Sequence, residues 1–312
     1  MIRPATRKGV RPIIDLYGES GCGKTYSALL LARGFVGPKG KMVMIDSEEG
    51  RGELYADVSE IGGYEVLPLG EPFSPKHYIA AIDEVEKSGA SIGILDSGSH
   101  EWEGISGVLD MAESNREKSG AAGLHNWRVP KMEHALFLQK LLRSPIPWII
   151  CLRAKFKTRQ VKENGKTVIV KDDYPTPIQA DDFIFESTVH GLIDPEHNFL
   201  PRKISHPDLQ KCLPSGKPLT IEHGRLLAEW CAMGGVATSS KDKNALLAEL
   251  RAITEPIHGW HASMPKTAWV PAKGVLEKWL AENGIIGPAT SLAELDADRL
   301  SEVITETKAA LK

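Results

Sequence analysis

The chain has 312 residues, 42% hydrophobic and 25% charged, and its 38 basic and 41 acidic side chains give a formal net charge of -3. This composition excludes a collagen-like or wholly disordered chain, and the near balance of charge leaves no global pull toward nucleic acid or anionic lipid, so any such pull must be local. The longest apolar run, Ile146 to Leu152, is broken by Pro147 and falls far short of the roughly 20 residues that span a bilayer. With no apolar signal segment in MIRPATRKGVRP, a cytoplasmic protein without a membrane partner is expected. The four cysteines, Cys22, Cys151, Cys212 and Cys231, are scattered without a C-x-x-C pair and read as reduced packing residues rather than a zinc site or disulfide framework.

Apolar runs alternate with helical patterns from the start. Ile13 to Tyr17 reads as a strand, GESGCGKT as a loop, Tyr26 to Phe35 as a helix and Lys41 to Asp46 as a second strand. Glu65 to Leu69, the amphipathic Lys76 to Ser88 and Ser91 to Asp96 continue the rhythm, which predicts a mostly parallel sheet with right-handed crossovers. Glu103 to Leu142 is largely helical, with Met132, Leu136, Gln139 and Leu142 along one face, and Pro147 to Leu152 is a further buried strand. Apolar runs at Phe183 to Leu192 and near Phe199 are expected to be the last strands, and Ser205 to Thr220 a loop. GGVATSSKDK, 234 to 243, has a linker's composition. The expected division is a domain over 1–236 and a small helical domain over 237–312. The latter has Leu246, Leu250 and Ile253 on one face, a helix around Trp279 stopped by Asn283-Gly284, and N-caps at Ser291, with Glu294, and at Asp296.

Gly18-Glu19-Ser20-Gly21-Cys22-Gly23-Lys24-Thr25 fits G-x-x-x-x-G-K-S/T between a strand and a helix, the context in which such a loop cradles phosphates on backbone N–H groups. Lys24 is expected to reach the β and γ phosphates of ATP and Thr25 to ligate Mg²⁺, with Tyr26 completing the nucleotide-binding run. Asp96 ends a hydrophobic strand at the sheet edge where ligands collect, as a second group for Mg²⁺. Asp46-Ser47-Glu48-Glu49 closes the strand after the loop's helix; Glu48 is the first candidate to polarise an attacking water and Glu49 its rival.

These segments, GESGCGKT (18 to 25), MVMIDSEEGRG (42 to 52), ILDSGSHEWEG (94 to 104) and WIICLRAK (148 to 155), together resemble the RecA-like ATPase core. They are more closely similar to the phage-encoded RecA-like nucleotide-binding proteins of single-strand annealing and recombination. The resemblance covers about residues 8 to 205. It implies an α/β RecA-like P-loop NTPase fold, hydrolysis of ATP with Lys24, Glu48 and Asp96 as the catalytic set, and a homo-oligomer with nucleotide near subunit contacts. It also implies that Arg153 stands where the family has its γ-phosphate sensor, and that Arg202 and Lys203 correspond to residues reaching a neighbouring subunit's nucleotide.

Arg153, Lys155, Lys157, Arg159, Lys162, Lys166 and Lys171 stand against one acid, Glu163, around an Asn164-Gly165 turn. This basic hairpin is the expected single-stranded DNA contact, with Phe156 and Tyr174 as stacking faces. His100, Glu101 and Trp102, directly after the Asp96 strand, are candidates for coupling nucleotide to the adjoining loop. His258 and His261 show no metal-ligand spacing. Two other functions fit the same residues: a nucleotide-controlled module whose C-terminal helices dock a protein partner, and a small-molecule P-loop kinase.

Overall fold

The computed structural model describes residues 9–163 and 166–232 and, toward the C-terminus, 247, 249–250, 253, 275–287, 292, 295 and 297–310. The turn Asn164-Gly165, the side chains of Arg159 and Lys166, the linker 234–243, Leu246, His258, His261, Ser291, Glu294 and Asp296 lie outside that set. The chain divides into two compact units, one within Arg7–Gly234 and one drawn mainly from Gly235–Lys312.

The first unit is built on a sheet of strands β1 (Ile13–Gly18), β2 (Met42–Asp46), β3 (Glu65–Pro68), β4 (Ile92–Asp96), β5 (Trp148–Lys155), β9 (Val189–Ile193) and β10 (Phe199–Ile204). Their spatial order is β10-β9-β1-β5-β4-β2-β3. All neighbours are parallel except β10, which runs antiparallel to β9. Between β5 and β9 the chain forms a separate hairpin of β6 (Thr158–Glu163) and β7 (Lys166–Lys171), and the short β8 (Thr176–Pro177), which pairs antiparallel with the end of β5. Helices cover both faces of the sheet. On one, α1 (Lys24–Val36) and α8 (Ile221–Ala232) enclose Leu16, Met44, Ile94 and Ile149; on the other, α2 (Pro75–Lys87) and α5 (Arg128–Leu142) enclose Ile45, Leu95, Trp148 and Ile150. Two shorter helices, α3 (Ser99–Glu103) and α4 (Val108–Ser119), lead from β4 toward α5. A strand covered on both faces has no polar side to alternate with, which is why β2, β4 and most of β5 read as unbroken apolar runs. The end of α1 is tied down by Arg33, whose buried guanidinium donates to the carbonyls of Ile61, Gly37, Gly40 and Gly63.

Three expectations change. Phe183 does not begin a strand: Phe183–Glu186 is a short helix, α6, and β9 starts only at Val189. On α5 the face carrying Met132, Leu136, Gln139 and Leu142 is the solvent face, with Met132 and Leu136 56% and 47% exposed. The helix instead buries Pro130, Glu133, His134, Phe137 and Leu141. Both polar members of that buried stripe have a partner: Glu133 pairs with Lys76 at 2.6 Å, and His134 Nδ1 lies 3.0 Å from Glu101 Oε1, while the buried His134 Nε2 makes no hydrogen bond among the described residues. A hydrophobicity count therefore points to the wrong side of this helix. The segment 205–220 also contains a one-turn helix, α7 (Leu209–Cys212).

The second unit has its own core of Leu250, Leu280, Ile285, Ile286, Leu292, Leu300, Val303 and Ile304, carried in part by helices α9 (Val275–Glu282) and α10 (Ala297–Ala310). Gly284, at a left-handed φ of 70°, follows the last turn of α9, where Gly is the usual stop. No described helix is long and apolar enough to cross a membrane.

Candidate nucleotide site

β1 delivers the chain to the edge of the sheet at Gly18, and α1 begins at Lys24. Between them Gly21 and Gly23 take φ values of 82° and 87°, a left-handed conformation that glycine adopts without steric cost. Gly23 is the N-cap of α1 and no side chain caps that end, so the first N–H groups of the helix and its positive dipole end are available to an anion. Lys24 Nζ folds back over the loop and donates to the carbonyls of Gly18 at 3.0 Å and Glu19 at 2.8 Å. Glu19, Ser20 and Gly21 are exposed, whereas Cys22 is buried, its thiol pushed upward by burial.

Strand register places the remaining groups around this cradle. Asp46 lies opposite Asp96, Asp96 opposite Cys151, and Gly18 opposite Arg153, so β1, β5, β4 and β2 end together. The Thr25 hydroxyl donates to Asp96 Oδ2 at 2.5 Å. Burial pushes the Asp96 carboxyl up to about 6, against the opposing pull of the Thr25 hydrogen bond. Asp46 shapes the following loop by accepting from the N–H groups of Glu48, Gly50 and Gly52. It thereby turns Glu48 inward, while Glu49 is exposed at a φ of 56°.

Glu48 is clasped by Arg153 through two bonds, Nε to Oε1 at 2.7 Å and a terminal nitrogen to Oε2 at 2.6 Å. Arg51 stands 3.7 Å and His100 Nε2 3.9 Å away. Burial alone would raise the Glu48 carboxyl, but the hydrogen bonds and charge of Arg153 outweigh it and hold the group below the usual glutamate range. His100 is lowered by burial and then by Arg153, and its Nδ1 lies 2.9 Å from Ser47 Oγ.

Glu101 faces away from this cluster into a buried network. It meets His134 and Gln179, whose amide also donates to Gly98 O at 3.0 Å. Trp102 packs edge-on against His134 at 5.3 Å between ring centres.

Beside the loop an open cavity of ≈ 970 Å³ is lined by Lys24, Thr25, Tyr26, Tyr55, His197 and the segment 218–222. The Tyr26 and Tyr55 rings sit 5.4 Å apart, and the Tyr26 hydroxyl donates to Glu60. Beyond the glycine loop's own Lys24, Thr25 and Tyr26, none of these wall residues is marked in the sequence. No spacing rule joins them to the loop, and His197 is 175 residues from Cys22, the loop residue it touches.

The basic segment forms the expected hairpin, β6 with β7, as a two-stranded sheet of its own. It leaves the main sheet at the end of β5, directly after the Arg153 that holds Glu48. Lys155 pairs with Glu103 at 3.6 Å and Lys171 lies 3.5 Å over the Phe156 ring, while Lys157 and Lys162 are exposed. Arg202 stacks on Tyr174 at 3.8 Å, and Lys203 donates to the carbonyls of Ile184 and Phe185.

A Mg²⁺ fits the chemistry here. Thr25 and Asp96 present hard oxygen donors to one point beside the phosphate loop, as this ion requires. Among the described residues no group of three or more His, Cys, Asp or Glu is arranged to hold a metal, so the protein's share of the coordination would be small and the phosphates would supply much of the rest.

The parallel sheet and the glycine loop at its edge define an α/β P-loop NTPase. Residues 11–183 match the AAA domain family, more than half of the chain, and the chain belongs to that family. Among solved structures it is similar to one described as a prototypical ATPase from the type III secretion system of pathogenic bacteria, with 14% identity and a TM-score of 0.36 over 100% of this chain and 87% of that one. That likeness is too slight to bear on function. No curated protein matches.

Proposed function

We propose that the protein binds ATP with Mg²⁺, hydrolyses it, and couples the nucleotide's state to single-stranded DNA held by the β6–β7 hairpin, as an oligomeric ATPase of phage DNA recombination or annealing. The observation that carries the reading is the pair of hydrogen bonds that Arg153 donates to Glu48, which joins the candidate base to the root of the basic hairpin. In this reading the loop N–H groups and Lys24 hold the phosphates. Thr25 and Asp96 would hold Mg²⁺, which would supply charge neutralisation to the phosphates. Glu48, kept ionised by Arg153, accepts the proton of a water positioned in line with the γ phosphate. Arg153, drawn toward the triphosphate, transmits its arrival along β5 to the hairpin, where DNA is gripped by charge. Hydrolysis reverses the grip.

A second reading is favoured by the separate core of the C-terminal unit: a nucleotide-controlled module in which that unit docks a protein partner and turnover is slow. Steady-state hydrolysis with and without single-stranded DNA separates the two, using Lys24→Ala as the blank and a variant with Lys155, Lys157 and Lys162 changed to Glu. DNA stimulation that is lost in the charge-reversed variant, with basal turnover intact, supports the first reading. Turnover indifferent to DNA favours the second, and phosphate appearing on an added metabolite would replace both with a kinase.

A further inference from the structure

A phosphate loop works only if its N–H groups face inward, which turns its carbonyls outward, toward water or toward donors of the protein. Lys24 serves Gly18 O and Glu19 O, yet the same ammonium is the group expected to reach for phosphate, so those two bonds compete with the ligand. The carbonyl of Cys22 is served differently. His197 Nδ1 lies 2.8 Å from Cys22 O; since a carbonyl only accepts, Nδ1 carries the proton and donates.

The ring also lies against the residue that caps α1. A Cβ built on Gly23 would come within 3.0 Å of His197 Nδ1. His197 sits in the turn between β9 and β10 at a φ of 67°, a conformation few non-glycine residues adopt. The turn is built to keep it there: Asp194 makes backbone bonds with His197 and Asn198, and its carboxylate accepts from Asn198 N at 2.7 Å and Asn198 Nδ2 at 3.3 Å.

We infer that His197 is a positioning residue for the phosphate loop: it holds Cys22 O outward independently of Lys24 and so keeps the cradle formed when Lys24 turns to the triphosphate. The inference rests on the nucleotide site proposed above, and it goes beyond it by assigning a residue outside the motif to nucleotide affinity.

The test measures binding of a fluorescent ADP and the kcat and KM for ATP in the full chain. His197→Gly keeps the left-handed turn without strain and removes the donor. His197→Asn tolerates the same φ and returns an N–H near the Nδ1 position. Thermal melts confirm that each variant folds. Nucleotide binding and KM should weaken about fivefold in His197→Gly, the factor corresponding to an average hydrogen bond. kcat at saturating ATP should stay within about twofold, and His197→Asn should recover most of the affinity. Unchanged affinity in His197→Gly, or an asparagine variant as weak as the glycine one, overturns the assignment. Failure of the site itself looks different: the unaltered protein would bind no better than Lys24→Ala.

Discussion

The phosphate edge and the β6–β7 hairpin leave the same end of the same sheet, yet they are held in different ways. At the edge, Asp96 is buried and bonded to Thr25, Glu48 is clasped by Arg153, and Asp46 fixes the loop between them through three N–H groups. The hairpin is held mainly by its own ladder and a cation–π pair, with Ile169 68% exposed; a lone two-stranded hairpin is marginal in water. One region is rigidly preorganised; the other is an exposed basic hairpin which, on the function proposed above, offers charge to a ligand that brings its own order. Arg153 belongs to both, through its side chain at the edge and its backbone at the hairpin's root.

The sharpest way to break this comparison is at Glu48. Glu48→Gln should lower ATP turnover by about a hundredfold or more, within the range for removal of a general base, while Glu49→Gln should leave it nearly unchanged, because Glu49 is exposed. Steady-state phosphate release checks both, and equal near-normal rates would remove the assignment. Next is the hairpin: changing Lys155, Lys157 and Lys162 to Glu should weaken single-stranded DNA binding roughly tenfold at low salt and flatten its salt dependence by about 0.7 for each phosphate no longer neutralised. Fluorescence anisotropy across a salt series reads this, and an unchanged slope would place the DNA elsewhere.

A smaller effect is expected at the joint. Arg153→Ala leaves Glu48 to the burial that raises its pKa. The acid limb of the pH profile of kcat/KM, which reports the free enzyme, should therefore move to higher pH, with a lower kcat/KM on the acid side; a shift toward lower pH would contradict the account. Smallest of all, Met132→Ser and Leu136→Ser should change stability by no more than about 0.5 kcal/mol in urea unfolding, as surface substitutions do. A decrease of several kcal/mol would return that face of α5 to a core.

Much of the fold was legible because parallel strands buried on both faces leave apolar runs, and because the glycine loop marks where the first of them ends. The acidic strand ends, Asp46 and Asp96, were legible for the same reason: each closes an unbroken run. What the sequence hid is what depends on a partner far along the chain. Asp15 sits in the middle of β1 where a buried carboxyl has no local reason to be; its partner is His190 of β9, at 3.0 Å and 175 residues away. Burial raises its pKa against the pull of that histidine. α5 misled because it buries Glu133 and His134 beside partners from other elements. Glu48 and Glu49 stood side by side in the sequence, and only the Asp46-capped turn distinguishes their surroundings. Tyr55 and His197 carry no motif, and they reach the cavity through tertiary packing alone.

The central claim is that a triphosphate occupies the glycine loop between β1 and α1. Titration calorimetry of the full chain with Mg²⁺ and a nonhydrolysable ATP analogue tests it most directly. The account predicts saturable binding of about one nucleotide per chain, weakened at least tenfold by Lys24→Ala with the fold intact. Binding unaffected by that substitution, or no binding to the unaltered protein, would contradict it.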